Sequence, residues 1–249
     1  MSVSSGRLAT QVRTELQLVA RNGEQLLLTL GIPVLLLIFF SVVDVLPTND
    51  ATPSGDAIDF LAPGVLALAV MSTAMVSLGI GTGFERTYLV LKRLAATPLG
   101  RTRLIAAKIA GVLVVELVQF AVLIPVAYAL GWSPGGPNWP LAVAGVCLGT
   151  MAFAGIGLTL AGRLRGEINL AAQNGIYLLL LLLGGMIIPF DELPGPISAV
   201  ARVLPSGALA DVLRDALSGL GAHPGSSWVV LAAWAVASPL VARRVFRWQ

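Results

Sequence analysis

Six apolar runs constrain this chain more than any other feature; they cover residues 26–45, 60–83, 104–130, 139–161, 170–188 and 228–241. A bilayer core about 30 Å thick is crossed by roughly 20 helical residues. A segment inside it must satisfy its own backbone hydrogen bonds, so runs of this length predict spanning helices. The sixth run is short, but Ala242 and the snorkelling Arg243 and Arg244 extend it to the interface. Composition agrees: 56% of the 249 residues are hydrophobic and 12% are charged, about half the charge of an ordinary soluble domain. So little charge cannot coat a soluble globule of this size, which excludes a soluble enzyme, a disordered tail and a nucleic-acid-binding domain. The predicted fold is an all-α integral membrane protein of six transmembrane helices, read as a single domain over residues 1–249.

Orientation follows from the basic residues in the connections. One side holds Arg7, Arg13 and Arg21, then Arg86, Lys92, Arg93, Arg101, Arg103 and Lys108, then Arg163 and Arg165, then Arg243, Arg244 and Arg247. Of the 16 Lys and Arg residues, only Arg202 and Arg214 remain for the other side. Both termini are therefore expected in the cytoplasm, which needs the even number of crossings found. The outer connections carry Asp50, Asp56, Asp59, Asp191, Glu192, Asp211 and Asp215. The first run follows a polar segment and is a full span long, unlike a cleaved secretory signal. No appended soluble domain is expected.

Three non-spanning segments are amphipathic. Residues 1–25 place Leu8, Val12, Leu16 and Val19 on one helical face, interrupted by Glu15, and predict a helix along the cytoplasmic membrane surface. Residues 84–103, FERTYLVLKRLAATPLGRTR, space Tyr88, Leu91 and Ala95 helically among Glu85, Arg86, Lys92 and Arg93, and Thr97-Pro98 ends the pattern. A short cytosolic helix over about 85–97 results, suited to anionic lipid or to a groove on a soluble partner. In the outer segment 189–227, Ile197, Val200, Val203 and Leu204 form one stripe and Leu209, Val212, Leu213, Ala216, Leu217 and Leu220 another. Two short helices at the outer surface, or dipping into it, are predicted, with Asp211, Arg214 and Asp215 pairing on a solvated face.

Catalytic templates are missing. Neither lysine, Lys92 or Lys108, follows a glycine, so there is no nucleotide-binding P-loop; the serine-hydrolase elbow and the zinc-protease helix are absent too. The stretch Leu217-Ser218-Gly219-Leu220-Gly221 has an ATPase-signature look but no nucleotide fold around it. One cysteine and one histidine, Cys147 and His223, exclude an intrachain disulfide and a multi-histidine metal site. Cys147 is expected to be a small buried residue. Glu116, with Gln119 one turn on, lies near the middle of span 3, as an interhelical contact or as part of a substrate path. Gly79-x-x-x-Gly83 and Gly145-x-x-x-Gly149 predict close helix packing.

In this order the features resemble the membrane subunits of type-2 ABC exporters, the permease family of bacterial drug, lipid and polysaccharide export. Two stretches carry the likeness at residue level. The first is Glu85-Arg86, then Leu91-Lys92-Arg93-Leu94-Ala95-Ala96-Thr97-Pro98-Leu99, then Lys108; the second is Leu193-Pro194, Leu204-Pro205 and Asp211-Val212-Leu213-Arg214. Leu89 departs from the pattern, standing where many relatives have glycine.

The resemblance implies a permease that is not itself an enzyme and that exports an amphiphilic drug, lipid or glycan-type substrate. Two subunits would pair, as homo- or heterodimer, in the bacterial plasma membrane. Each would rest its inner helix, with Glu85, Arg86, Leu91, Lys92, Arg93, Leu94, Thr97 and Pro98, on one of two copies of a separate ABC ATPase subunit. ATP and Mg would bind on that partner, and no cofactor on this chain. Spans 1, 2 and 5 would line the path, with residues 178–183 facing partner or substrate; Glu116 would be structural, and Asp211, Arg214 and Asp215 would serve outer gating or helix pairing. The competing reading is an ion-gradient-driven secondary carrier, for which Glu116 is the one midplane candidate.

Overall fold

A computed structural model describes residues 23–43, 57–90, 101–222 and 224–246, without the side chains of 23–28, 101–105, Asp191 and Pro224. Every regular element among them is helical. The helices are α1 (Gly23–Val42), α2 (Ala57–Thr87), α3 (Arg101–Ala129), α4 (Trp139–Ala161), α5 (Gly166–Leu183), α6 (Gly195–Val203), α7 (Pro205–Ser218) and α8 (Pro224–Val245). Helices α2, α3, α4, α5 and α8 are long and apolar enough to cross a membrane. The 20 residues of α1 reach about 30 Å, the length a sixth crossing needs, and Thr29–Val42 is its described apolar part.

Helix α2 is the axis of the bundle. Its first half, Ala57–Met71, is buried from Ile58 onward, so lipid does not reach it. The outer ring keeps apolar surface: Leu35 and Phe39 on α1, Leu117 and Val118 on α3, Leu178, Leu179 and Leu182 on α5, and Val229 and Val236 on α8 are exposed. In water such faces would be a liability; in a bilayer they are the solvent contact. Cys147 belongs to this exposed surface, which corrects the expectation of burial: on α4 it points away from the neighbouring helices.

The predicted glycine pairs are packing sites. A methyl at Gly79 or Gly83 would run into Gln173 or Asn169 of α5, and one at Gly145 or Gly149 into Val212 or Leu209 of α7. Helix α2 also departs from α-geometry at Ser72–Ser77, one π-helical segment, a form that adds a residue to a turn and shifts the register of the helix beyond it.

The segment after α5 differs most from expectation. Helix α6 keeps an exposed apolar face, but α7 is buried from Pro205 to Arg214 and again at Ala216 and Leu217. The two meet at 80°. Leu209 packs on Gly149, about 15 Å along α4 from Trp139, while the Ala216 carbonyl accepts from the Asn138 backbone N–H at the start of α4. Helix α7 therefore runs antiparallel to α4, bent sharply away from α6. Gly219, at φ 67°, closes α7: its N–H donates to the Asp215 carbonyl and that of Leu220 to Arg214, a left-handed cap that suits glycine.

Candidate functional site

Three groups of polar side chains interrupt the apolar bundle. At the end of α2 that carries the basic connection, Lys108 of α3 donates to Glu85 at 2.8 Å. Lys108 is 4% exposed and Glu85 24%, so the pair is sheltered. Beside it, Arg86 Nη1 donates to the Ala161 carbonyl at the end of α4 at 2.9 Å, using an acceptor that a helix C-terminus leaves unsatisfied. Glu85 and Arg86 thus lash α2 to α3 and α4. Phe84 and Tyr88 stack at 6.1 Å between ring centroids.

The expected helix over 85–97 does not begin as one piece: α2 ends at Thr87, and Tyr88 and Leu89 form a turn with Leu89 at φ 59°. Only glycine adopts such angles freely, so the residue that departs from the family pattern holds the conformation that the pattern's glycine would favour. Tyr88, Leu89 and Val90 are exposed. Leu91, Lys92, Arg93, Leu94, Thr97 and Pro98 lie outside the described residues, as do Glu15 and residues 1–22 of the surface helix expected over 1–25, whose last residues, from Gly23, belong to α1. Leu89→Gly is expected to raise the melting temperature of the purified protein, by the equivalent of about 1 kcal/mol of relieved strain. Leu89→Val, β-branched and less tolerant of positive φ, should lower it.

The second group lies within the bundle. Glu116 is 1% exposed, and the Thr150 hydroxyl of α4 donates to its Oε2 at 2.7 Å. Its other oxygen is buried without a hydrogen-bond partner among the described residues. One turn on, Gln119 accepts from the Thr73 hydroxyl at 2.9 Å and donates to the Thr29 carbonyl at 2.7 Å. Glu116 and Gln119 therefore join α3 to α4, to the π-helical part of α2 and to α1, and act as interhelical ties. Glu116→Gln keeps an oxygen for Thr150, so melting temperature and transport should stay near wild type. Glu116→Lys, an unpaired charge at that depth, should cost about 3 kcal/mol and appear as lost folded protein.

Sequence reasoning did not single out Asn169 and Gln173, which are fully buried. Asn169 donates to the Gly79 carbonyl and Gln173 to the Gly157 carbonyl, each at 2.9 Å. Two amides four residues apart, opposite glycines four residues apart, were the signal available.

The third group centres on Arg214. Far from lying on a solvated face, Arg214 is 2% exposed and Asp211 1%. The guanidinium donates to the Met186 carbonyl at 2.8 Å and the Phe60 carbonyl at 3.3 Å, and lies 3.6 Å from the centroid of the Phe60 ring. Asp211, electrostatically coupled to Arg214, accepts from the Ala222 N–H at 2.6 Å and the Ser227 hydroxyl at 2.7 Å. One arginine thus joins α2, the chain after α5 and α7, and one aspartate joins α7 to the start of α8. Asp215 stays half-buried beside them. The fit at Gly64 is close: any Cβ there would meet the Met186 carbonyl.

Comparison with known proteins places this architecture. The chain matches the family described as "ABC-2 family transporter protein" over residues 41–242. A Dictyostelium discoideum protein, "ABC transporter G family member 20", is 28% identical over 204 residues, 77% of this chain and 27% of that protein. A Bacillus subtilis (strain 168) protein, "Putative transport permease YvfS", is 27% identical over 202 residues, 80% of each. The chain thus spans about a quarter of the first relative and most of the second.

Proposed function

The chain belongs to the ABC-2 transporter family, and on that premise we propose that it is the permease subunit of an ATP-driven exporter, a translocation path driven by a separate ATPase. The observation that carries this reading is the inner end of α2. Glu85–Lys108 and Arg86–Ala161 make that end rigid with α3 and α4, and the chain then turns at Leu89 and exposes Tyr88, Leu89 and Val90. A push on residues 88–98 would reach three helices together instead of bending one. The basic residues Lys92 and Arg93 come directly after and suit an acidic groove on the ATPase.

In this reading two copies of the ATPase bind ATP and Mg, and this chain holds neither. Two permease subunits, identical or not, meet through lipid-exposed faces that include α5, whose Leu178, Leu179 and Leu182 are uncovered. Amphiphilic drugs, lipids or glycan-linked lipids are the substrate classes such a wall suits. The cytoplasmic membrane of a bacterium, with both termini inside, fits the distribution of Lys and Arg. The reading is tested by co-purification: an ATPase subunit with a P-loop should copurify with this chain and hydrolyse ATP faster with substrate. A chain that purifies alone and still transports would overturn it.

A further inference from the structure

We propose that the π-helical segment Ser72–Ser77 is a joint built into α2, where the inner part of the helix turns against a fixed outer part. Its sequence, STAMVS, holds neither proline nor glycine, the residues that most readily break a helix. The turns on both sides are regular: Met71 stands at φ −60°, ψ −44° and Leu78 at φ −61°, ψ −45°. Between them the Leu78 N–H is shared by the carbonyls of Met75 and Thr73, the second of which lies one residue further back than an α-helix would use. Such a turn carries one residue more than an α-turn and is much the rarer form, so its neighbours must hold it open. Gln119 of α3 accepts from the Thr73 hydroxyl and donates to the Thr29 carbonyl of α1. Helix α4 presents Gly157 where any Cβ would meet the Met75 carbonyl, which leaves room for the wide turn.

On either side of the segment, α2 is fastened to different neighbours. In the outer part, Ala57–Met71, the Phe60 carbonyl accepts from Arg214 of α7 and Gly64 lies against the Met186 carbonyl. In the inner part, Leu78–Thr87, the Gly79 carbonyl accepts from Asn169 of α5, while Glu85 and Arg86 tie the end to α3 and α4. The wide turn is the one place where these two sets of contacts meet along a single helix. Moving its extra residue along the helix turns and advances the stretch it passes by one residue's step, about 100° and 1.5 Å, without unwinding the rest. The inner end can then move with α3 and α4 while the outer part keeps its place on α7. That the movement starts from a push at the inner end rests on the ATPase-driven reading; the Thr73–Gln119 bond is the latch that the push must release.

The experiment deletes single residues from the full chain. Ala74 is buried in the segment and makes none of these ties; without it, Ser72–Ser77 should close into an α-turn with the contacts on both sides kept, and the protein should melt close to wild type. Deleting Ala62, in the regular outer part, puts Gly64 and the residues up to the joint out of register and should cost the fold. Backbone amide exchange in detergent, read by mass spectrometry, should be faster over residues 73–78 than over 64–70 in wild type, and equal over both in the Ala74 deletion. Thr73→Val, which removes the latch, should quicken exchange over 73–78 roughly fivefold, the worth of one neutral hydrogen bond. In liposomes with the ATPase, the Ala74 deletion should lose most of its export of a fluorescent amphiphile while ATP is still hydrolysed. Wild-type export by the Ala74 deletion, exchange over 73–78 no faster than over 64–70, or loss of the fold as in the Ala62 deletion would each overturn the joint. Export by wild type that needs no ATPase would instead overturn the ATPase-driven reading, and exchange would still decide the joint.

Discussion

Arg214→Ala is expected to abolish the folded protein rather than merely weaken transport. The change leaves the Met186 and Phe60 carbonyls without their donor, uncovers the Phe60 ring and strips the countercharge from buried Asp211. Breaking a buried charge pair by removing one partner costs about 3–5 kcal/mol, most of the stability of a typical protein. Thermal unfolding in detergent should show a large fall in melting temperature or no cooperative transition, while the spans still insert. Arg214→Lys should fall between, because an ammonium can reach one carbonyl but cannot bridge two and lie on the ring. Wild-type melting and export in Arg214→Ala would show that the arginine does not hold the bent helix pair.

Reversing Lys92 and Arg93 together to glutamate is expected to lower ATP-driven export by more than tenfold with membrane insertion unchanged. Unlike Arg214, these residues come after the exposed turn at Leu89 and lie beyond the ties at Glu85 and Arg86. Each reversal turns an attraction at an acidic surface into a repulsion, and several kcal/mol can be lost when like charges face each other in an interface. The permease should purify in normal amounts, and the ATPase should no longer be stimulated by substrate. Normal export by the double variant would remove these residues from the coupling contact.

Much of the fold was legible because the bilayer simplifies the problem: an apolar run of spanning length has one structural solution. The glycine pairs could be read as packing sites for the same reason, since small residues let helices approach. The burial of α7 was not legible. Its stripe of Leu209, Val212, Leu213, Ala216 and Leu217 has the same period whether the opposite face meets water or protein, and Asp211 and Arg214 suggested water. The contrary signal was the small residues Ser206, Gly207, Ala208 and Ala210, which let α7 be enclosed on every side. The ties at Glu85 and Lys108 lay in the quoted motif, but which residue pairs with which depends on the antiparallel crossing of α2 and α3, and local spacing does not encode that. Asn169 and Gln173 were not singled out because their acceptors, the Gly79 and Gly157 carbonyls, are set by how α5 packs on α2 and α4.

On the proposed function, this chain is a path moved by a partner's ATP. The most direct test reconstitutes the permease with and without the copurifying ATPase in liposomes and measures export of a fluorescent amphiphile. Transport is expected only when ATPase and ATP are both present, insensitive to collapse of the proton gradient and retained in Glu116→Gln. Transport by the permease alone that is driven by a proton gradient and lost in Glu116→Gln would contradict it, and would make the chain a secondary carrier.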